Sequence, residues 1–104
     1  MREKINAVGE DSNSSSQFRA TFRIENIGVI SRGQITLPSE SRTEYDITQG
    51  EYIELILYYN GEKINVGDRK VGESGRVTIP NTTRERHGIN QDDTVDGVVK
   101  ISNS

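Results

Sequence analysis

Apolar residues along this chain fall into short runs separated by turn residues, and the shortest runs alternate. Ile35 and Leu37 lie on one side of Thr36, and Val77 and Ile79 on one side of Thr78. Alternation at period two is the mark of a half-buried strand. Each of these strands stops at a proline, Pro38 or Pro80, which cannot continue a central ladder but suits the start of a helix. The pattern therefore predicts short helices over Pro38–Tyr45 and Pro80–His87. Gly88 sits where a left-handed residue closes the second helix, and Asp46 takes that place in the first. Apolar strands follow at Tyr52–Tyr59 and Thr94–Ile101. Asn60-Gly61 after the first of them is a strong hairpin signal, because both central turn residues need positive φ. Glu62–Val66 is the returning strand.

The chain repeats itself at an offset of 42 residues. Val29 falls on Val71, Gly33 on Gly75, Thr36 on Thr78, Pro38 on Pro80, Arg42 on Arg84, Ile47 on Ile89 and Gln49 on Gln91. The only two prolines coincide. Two copies are too few for a solenoid, so a closed, pseudo-two-fold domain is expected. The second copy has no returning strand after Ile101. The offset places its equivalent at the front, as Phe18–Ile24, which is expected to pair antiparallel with Thr94–Ile101. The organisation is thus one barrel domain over 18–101, made of repeats 18–59 and 60–101, behind a polar, serine-rich flexible tail over 1–17. A second recurrence, Glu3-Lys4-Ile5-Asn6 at Glu62-Lys63-Ile64-Asn65, dies out within a few residues and is treated as coincidence.

Composition agrees. Ile and Val number 12 and 8 against 3 Leu, and β-branched side chains suit strands. There is no Cys and one His, which leaves no disulfide, no thiolate metal site and no visible nucleophile–base set. No cofactor and no enzymatic activity are expected. No apolar run is long enough to span a membrane and no signal-peptide core is visible, so a cytoplasmic protein without membrane contact is the expectation. The formal net charge is −3, which weighs mildly against nucleic acid. The charge is banded, however. Residues 69–86 carry Arg69, Lys70, Arg76, Arg84 and Arg86 against Glu73 and Glu85, whereas 47–68 carry Lys63 against Glu51, Glu54, Glu62 and Asp68.

Gly75-Arg76-Val77-Thr78-Ile79-Pro80, then Arg84 four residues past the proline, Gly88-Ile89 and an apolar strand, resembles the AbrB/MazE/SpoVT family. Arg69-Lys70-Val71 ahead of it strengthens the likeness, and the duplicate over 33–57 repeats the pattern more loosely. The resemblance implies a swapped-hairpin β-barrel that binds DNA. In the family two chains interlock; here both halves lie in one chain, a single-chain pseudo-dimer. Copy one departs from the pattern, with Ile27-Gly28 for Arg69-Lys70 and Gln34 for Arg76, though it carries Arg32 in the hairpin loop.

The expected function is therefore a small DNA-binding transcription regulator. Its double-stranded DNA contacts would come from Arg32, Arg42, Arg69, Lys70, Arg76, Arg84 and Arg86, by phosphate neutralisation with Arg also able to read guanine edges. A solvated charged face is the plainer reading of the same cations. Arg42 and Arg84, present in both copies, fit a structural role equally, each pairing with a carboxylate such as Glu51 or Asp93. The alternative function is a protein-interaction module, including an antitoxin type, that keeps the barrel without strong DNA binding. A homo-oligomer, or a protein partner held through the tail, is compatible with either. Tyr52, Tyr58 and Tyr59 are expected to serve packing, and His87 to sit favourably at a helix end.

Overall fold

The computed structural model describes residues 18–102. The tail assigned to 1–17, with the Glu3–Asn6 recurrence, lies outside the described residues. The fold is mainly β with two short helices. The elements are β1 (Phe18–Gly28), a 3-10 turn (Ser31–Gly33), β2 (Gln34–Thr36), α1 (Ser39–Glu44), β3 (Tyr52–Tyr59), β4 (Glu62–Lys70), a second 3-10 turn (Glu73–Gly75), β5 (Arg76–Thr78), α2 (Asn81–His87) and β6 (Thr94–Ser102).

Four strands form one antiparallel sheet in the order β1-β6-β3-β4, and β2 and β5 form a two-stranded ribbon. The expected long-range pairing is present: Phe22 lies opposite Val99, as Ile64 lies opposite Leu57. Both outer strands run further than their apolar alternation indicated, β1 to Gly28 rather than Ile24 and β4 to Lys70 rather than Val66. A bulge interrupts each. Asn26 in β1 has φ +54 and Gly67 in β4 has φ +93, and Asn26 N–H donates to Asp96 Oδ1 at 2.8 Å. The bulge breaks the side-chain period, so the sequence signal stops there although the ladders resume at Ile27–Val95 and Gly67–Leu55.

Both prolines lie one residue earlier than expected. They cap the helices from outside, with φ −57 and ψ 139 at Pro38 and φ −56 and ψ 145 at Pro80. Each helix closes through a Schellman-type bond, Ile47 N–H to Arg42 O and Ile89 N–H to Arg84 O, both 2.9 Å. The bond needs a left-handed residue in between, supplied by Asp46 at φ +54 and Gly88 at φ +70.

The core gathers the inner faces of both sheets, with Ile53, Leu55 and Leu57 from β3, Val95, Val99 and Ile101 from β6, and Ile35, Leu37, Val77 and Ile79 along the ribbon. Tyr59 packs against it. Tyr52 and Tyr58 do not, being 58% and 39% exposed. They share the outer face with Glu54, at even positions of a strand whose odd positions point inward. The packing expectation therefore holds for Tyr59 alone.

The turns after the helices are tied down alike but by different donors. Thr48 N–H donates to Glu51 Oε1 at 3.2 Å and Asn90 N–H to Asp93 Oδ2 at 2.7 Å. Arg19 then bonds Glu51 Oε2 at 3.1 Å and Tyr45 O at 2.8 Å. On the other side the Tyr59 hydroxyl donates to Asp93 Oδ2 at 2.8 Å and to Gly88 O at 3.3 Å. The Asn90 amide, and then the Tyr59 hydroxyl, hold the Asp93 carboxyl below the usual range. The bond to Asp93, with burial and the carboxylate charge adding to it, raises the Tyr59 phenol. A carboxylate lowered by folding stabilises fully above its unfolded pKa, and that contribution fades as pH falls through the folded value. Tyr59→Phe should therefore raise the Asp93 midpoint in a carbon-detected carboxyl titration and start acid unfolding at higher pH. An unmoved midpoint would show that the hydroxyl does not hold the charge.

Candidate nucleic-acid interface

The ribbon and its two 3-10 turns carry two of the candidate cations, Arg32 and Arg76. Gln34, Ile35 and Thr36 of β2 lie opposite Thr78, Val77 and Arg76 of β5. Each turn has two successive left-handed residues at its tip, Arg32 (φ +65) with Gly33 (φ +68), and Ser74 (φ +60) with Gly75 (φ +78). An arginine side chain in this region is uncommon, and the turn presents Arg32 exposed.

Each turn is held by the opposite half of the chain. Leu37 N–H donates to Gly75 O and Ile79 N–H to Gly33 O, both 2.9 Å. Val29 exchanges bonds with the 92–93 turn, Val29 N–H to Asp93 O and Asp92 N–H to Val29 O at 2.7 Å. Val71 does the same with the 50–51 turn, at 2.7 and 2.8 Å. The Arg84 guanidinium lies against Gly33 and that of Arg42 against Gly75, where any β-carbon would strike it. Arg84 Nε donates to Ile79 O at 3.0 Å and Arg42 Nε to Leu37 O at 3.1 Å. The carboxylate pairing considered for these arginines is not formed: Glu51 is taken by Arg19 and Asp93 by Tyr59. Each arginine instead clamps a loop from the other half, because the half-swapped chain brings a side-chain-free αL glycine beside it.

This exchange redistributes the charge. By sequence, the second copy is rich in cations and the first poor. In space, one end of the ribbon holds Arg32 from the first copy with Arg84 from the second, and the other holds Arg76 from the second with Arg42 from the first. The two ends differ mainly in their carboxylates. Glu73 precedes Gly75 in its turn, and α1 adds Glu40 and Glu44, so the Arg76 end is more acidic.

The remaining candidates sit apart. Lys70 is the exposed last residue of β4, opposite Tyr52. Arg69 lies opposite buried Ile53, at the position that Ile27 fills against Val95 in β1. Its stem covers core edge, and its Nε is shielded from solvent without a hydrogen-bond partner among the described residues. Arg86 does not join the ribbon. It lines a cleft between α2 and β4 with Lys63, Asn65, Thr82, Thr83 and His87. His87 Nδ1 meets Glu62 Oε1 at 3.2 Å. The sequence reading missed this cleft and the Arg19 anchor, since neither has a repeat-related counterpart of the same chemistry to reveal it. Among the described residues no cluster of His, Asp or Glu could hold a metal ion, and no helix is long and apolar enough to cross a membrane.

Residues 69–102 match the family model described as antidote-toxin recognition MazE, bacterial antitoxin. The matched stretch runs from Arg69 through β5, α2 and β6, and the family is one of antitoxins rather than enzymes. PHS018 from Pyrococcus horikoshii, known from a solution structure, is similar at 28% identity and a TM-score of 0.64, over 82% of this chain and 91% of that one. No curated protein matches the chain.

Proposed function

We propose that this protein is a small DNA-binding regulator of the AbrB/MazE type, in which two fused repeats supply from one chain the paired surface that two chains supply in the family. The observation that carries the reading is the reciprocal clamp: two turns, one presenting Arg32 and the other leading into Arg76, each fixed by an arginine of the other half, at the two ends of one ribbon. Loops held this way meet a duplex without ordering cost at the moment of binding. Arg32, Arg76, Lys70 and Arg69 neutralise phosphates, while Arg42 and Arg84 act from beneath by positioning the turns. With so few cations and a net charge of −3, affinity for random duplex should fall in the range of about 10⁻⁴–10⁻⁶ M at physiological salt.

A titration of duplex DNA at several salt concentrations tests the reading. Arg76→Ala should weaken binding and flatten the log–log salt slope by about one unit, since each engaged phosphate contributes about 0.9. Gln34→Ala, at the matching position of β2, should change little. Absence of binding even at low salt would overturn the proposal.

One observation favours the second reading, a protein-interaction module of the antitoxin type. A cleft of about 390 Å³ opens among Phe18, Tyr52, Glu54, Asp68 and Lys100. Lys100 already stands over the Phe18 ring, but exposed Tyr52 beside Glu54 and Asp68 suits a partner's cationic side chain, and the matched family is described by toxin recognition.

A further inference from the structure

The cleft between α2 and β4 has a chemistry that the ribbon does not share. Lys63, Arg86 and His87 bring cationic or proton-bearing nitrogens, Thr82 and Thr83 bring hydroxyls, and Asn65 brings an amide. Among the described residues, none that lines it is a carboxylate. Glu62 stands behind one wall of the cleft, against His87 Nδ1 at 3.2 Å, and Glu85 accepts from Asn81 Nδ2 at 3.2 Å. The cleft measures about 220 Å³, below the ~300 Å³ at which pockets for drug-sized ligands begin. A compact polyatomic anion suits both its size and its donors.

The other half of the chain shows that this is not an incidental property of the fold. Forty-two residues earlier, Arg86 becomes Glu44, Thr82 becomes Glu40, Lys63 becomes Thr21 and His87 becomes Tyr45. Ile64 becomes Phe22, whose ring stacks on Tyr45 with centroids 4.6 Å apart and planes 5° apart. The equivalent space is thus filled by an aromatic pair and edged with carboxylates. Only the second half keeps it open and positive.

We infer that the α2–β4 cleft, bounded by Lys63, Thr82, Thr83, Arg86 and His87, is a phosphate-binding site separate from the ribbon. The phosphate could come from a small phosphorylated molecule or from a duplex backbone passing the end of the domain; the chemistry recognised is the same.

The test is a nitrogen-15 NMR titration of the full chain with inorganic phosphate near pH 7, against chloride at equal ionic strength. Signals of Thr82, Thr83, His87 and Lys63 should move saturably with phosphate and not with chloride. Arg86→Glu, which installs the residue found in the other half, should weaken binding at least about tenfold, roughly 1.4 kcal/mol. Lys63→Thr should weaken it less. Both side chains are exposed, and unchanged dispersion elsewhere in the spectrum shows that the variants fold. Arg76→Ala should leave phosphate binding intact while weakening duplex binding, so this inference and the DNA reading fail separately. In a parallel titration with a short duplex, cleft shifts reversed by free phosphate identify the DNA backbone as the source. Duplex shifts confined to the ribbon, with the cleft still taking phosphate, identify a small phosphorylated ligand. A response to chloride equal to that of phosphate, or no saturation at all, overturns the site.

Discussion

Divided into fragments 1–59 and 60–104, the chain should lose its fold completely and regain it when the pieces are mixed. The strand pairing makes this a strong expectation. β1 pairs with β6, β2 with β5, and β3 with β4 and β6. Among the described residues, every ladder between strands therefore crosses the cut. Fragment 1–59 would hold β1, β2 and β3 with none of their ladder partners, and fragment 60–104 would hold β4, β5 and β6 in the same state. The helices give no refuge, since six and seven residues are too few for a helix to persist alone. The buried faces of Leu55 and Leu57 would also open to water, at ~1.5–3 kcal/mol for each such side chain. Amide spectra should be collapsed for each fragment and dispersed for the equimolar mixture. A dispersed, cooperative spectrum from one monomeric fragment would count decisively against the interlocked arrangement.

Gly97→Leu should be the most damaging single substitution. The residue lies in the middle of β6, opposite Leu57 on one side and Ile24 on the other. Its repeat-related counterpart, Leu55, is fully buried, so sequence logic alone would welcome a leucine. The structure does not. A β-carbon at Gly97 would come within 2.5 Å of the Ile56 carbonyl oxygen and 3.2 Å of Leu57 Cδ2. The first obstacle is backbone in the central pair of the sheet, which cannot rotate away. The rest of the side chain would then overpack a core already closed by Leu57 and Ile24. The expected cost is on the order of 3 kcal/mol, a fall in Tm of roughly 12–24 °C for a domain of this size. Gly97→Ala should show a smaller loss of the same origin. Thermal unfolding followed by circular dichroism measures both, and an unchanged Tm for the leucine variant would mean that the strands separate more easily than their ladder implies.

The elements and their order follow from local patterns in the chain. Alternation around Thr36 and Thr78, the two prolines, Asn60-Gly61 and the left-handed positions at Asp46 and Gly88 are local rules, satisfied within a few residues of chain. The 42-residue offset also located the partner of β1, because an edge left open in one copy must be closed by the strand that the other copy implies. Three things needed the tertiary structure. The outer strands run on through their bulges, where the side-chain period breaks but the backbone ladder does not. Arg42 and Arg84 bind neither suspected carboxylate, because each lies against a glycine more than thirty residues away in the other half. The cations are paired by end of the ribbon, not by copy, and Arg86 is drawn off into a cleft of its own. The physical reason is common to all three. Local pattern decides what a segment is, but which charges become neighbours depends on how the two halves interlock, and no periodicity records that.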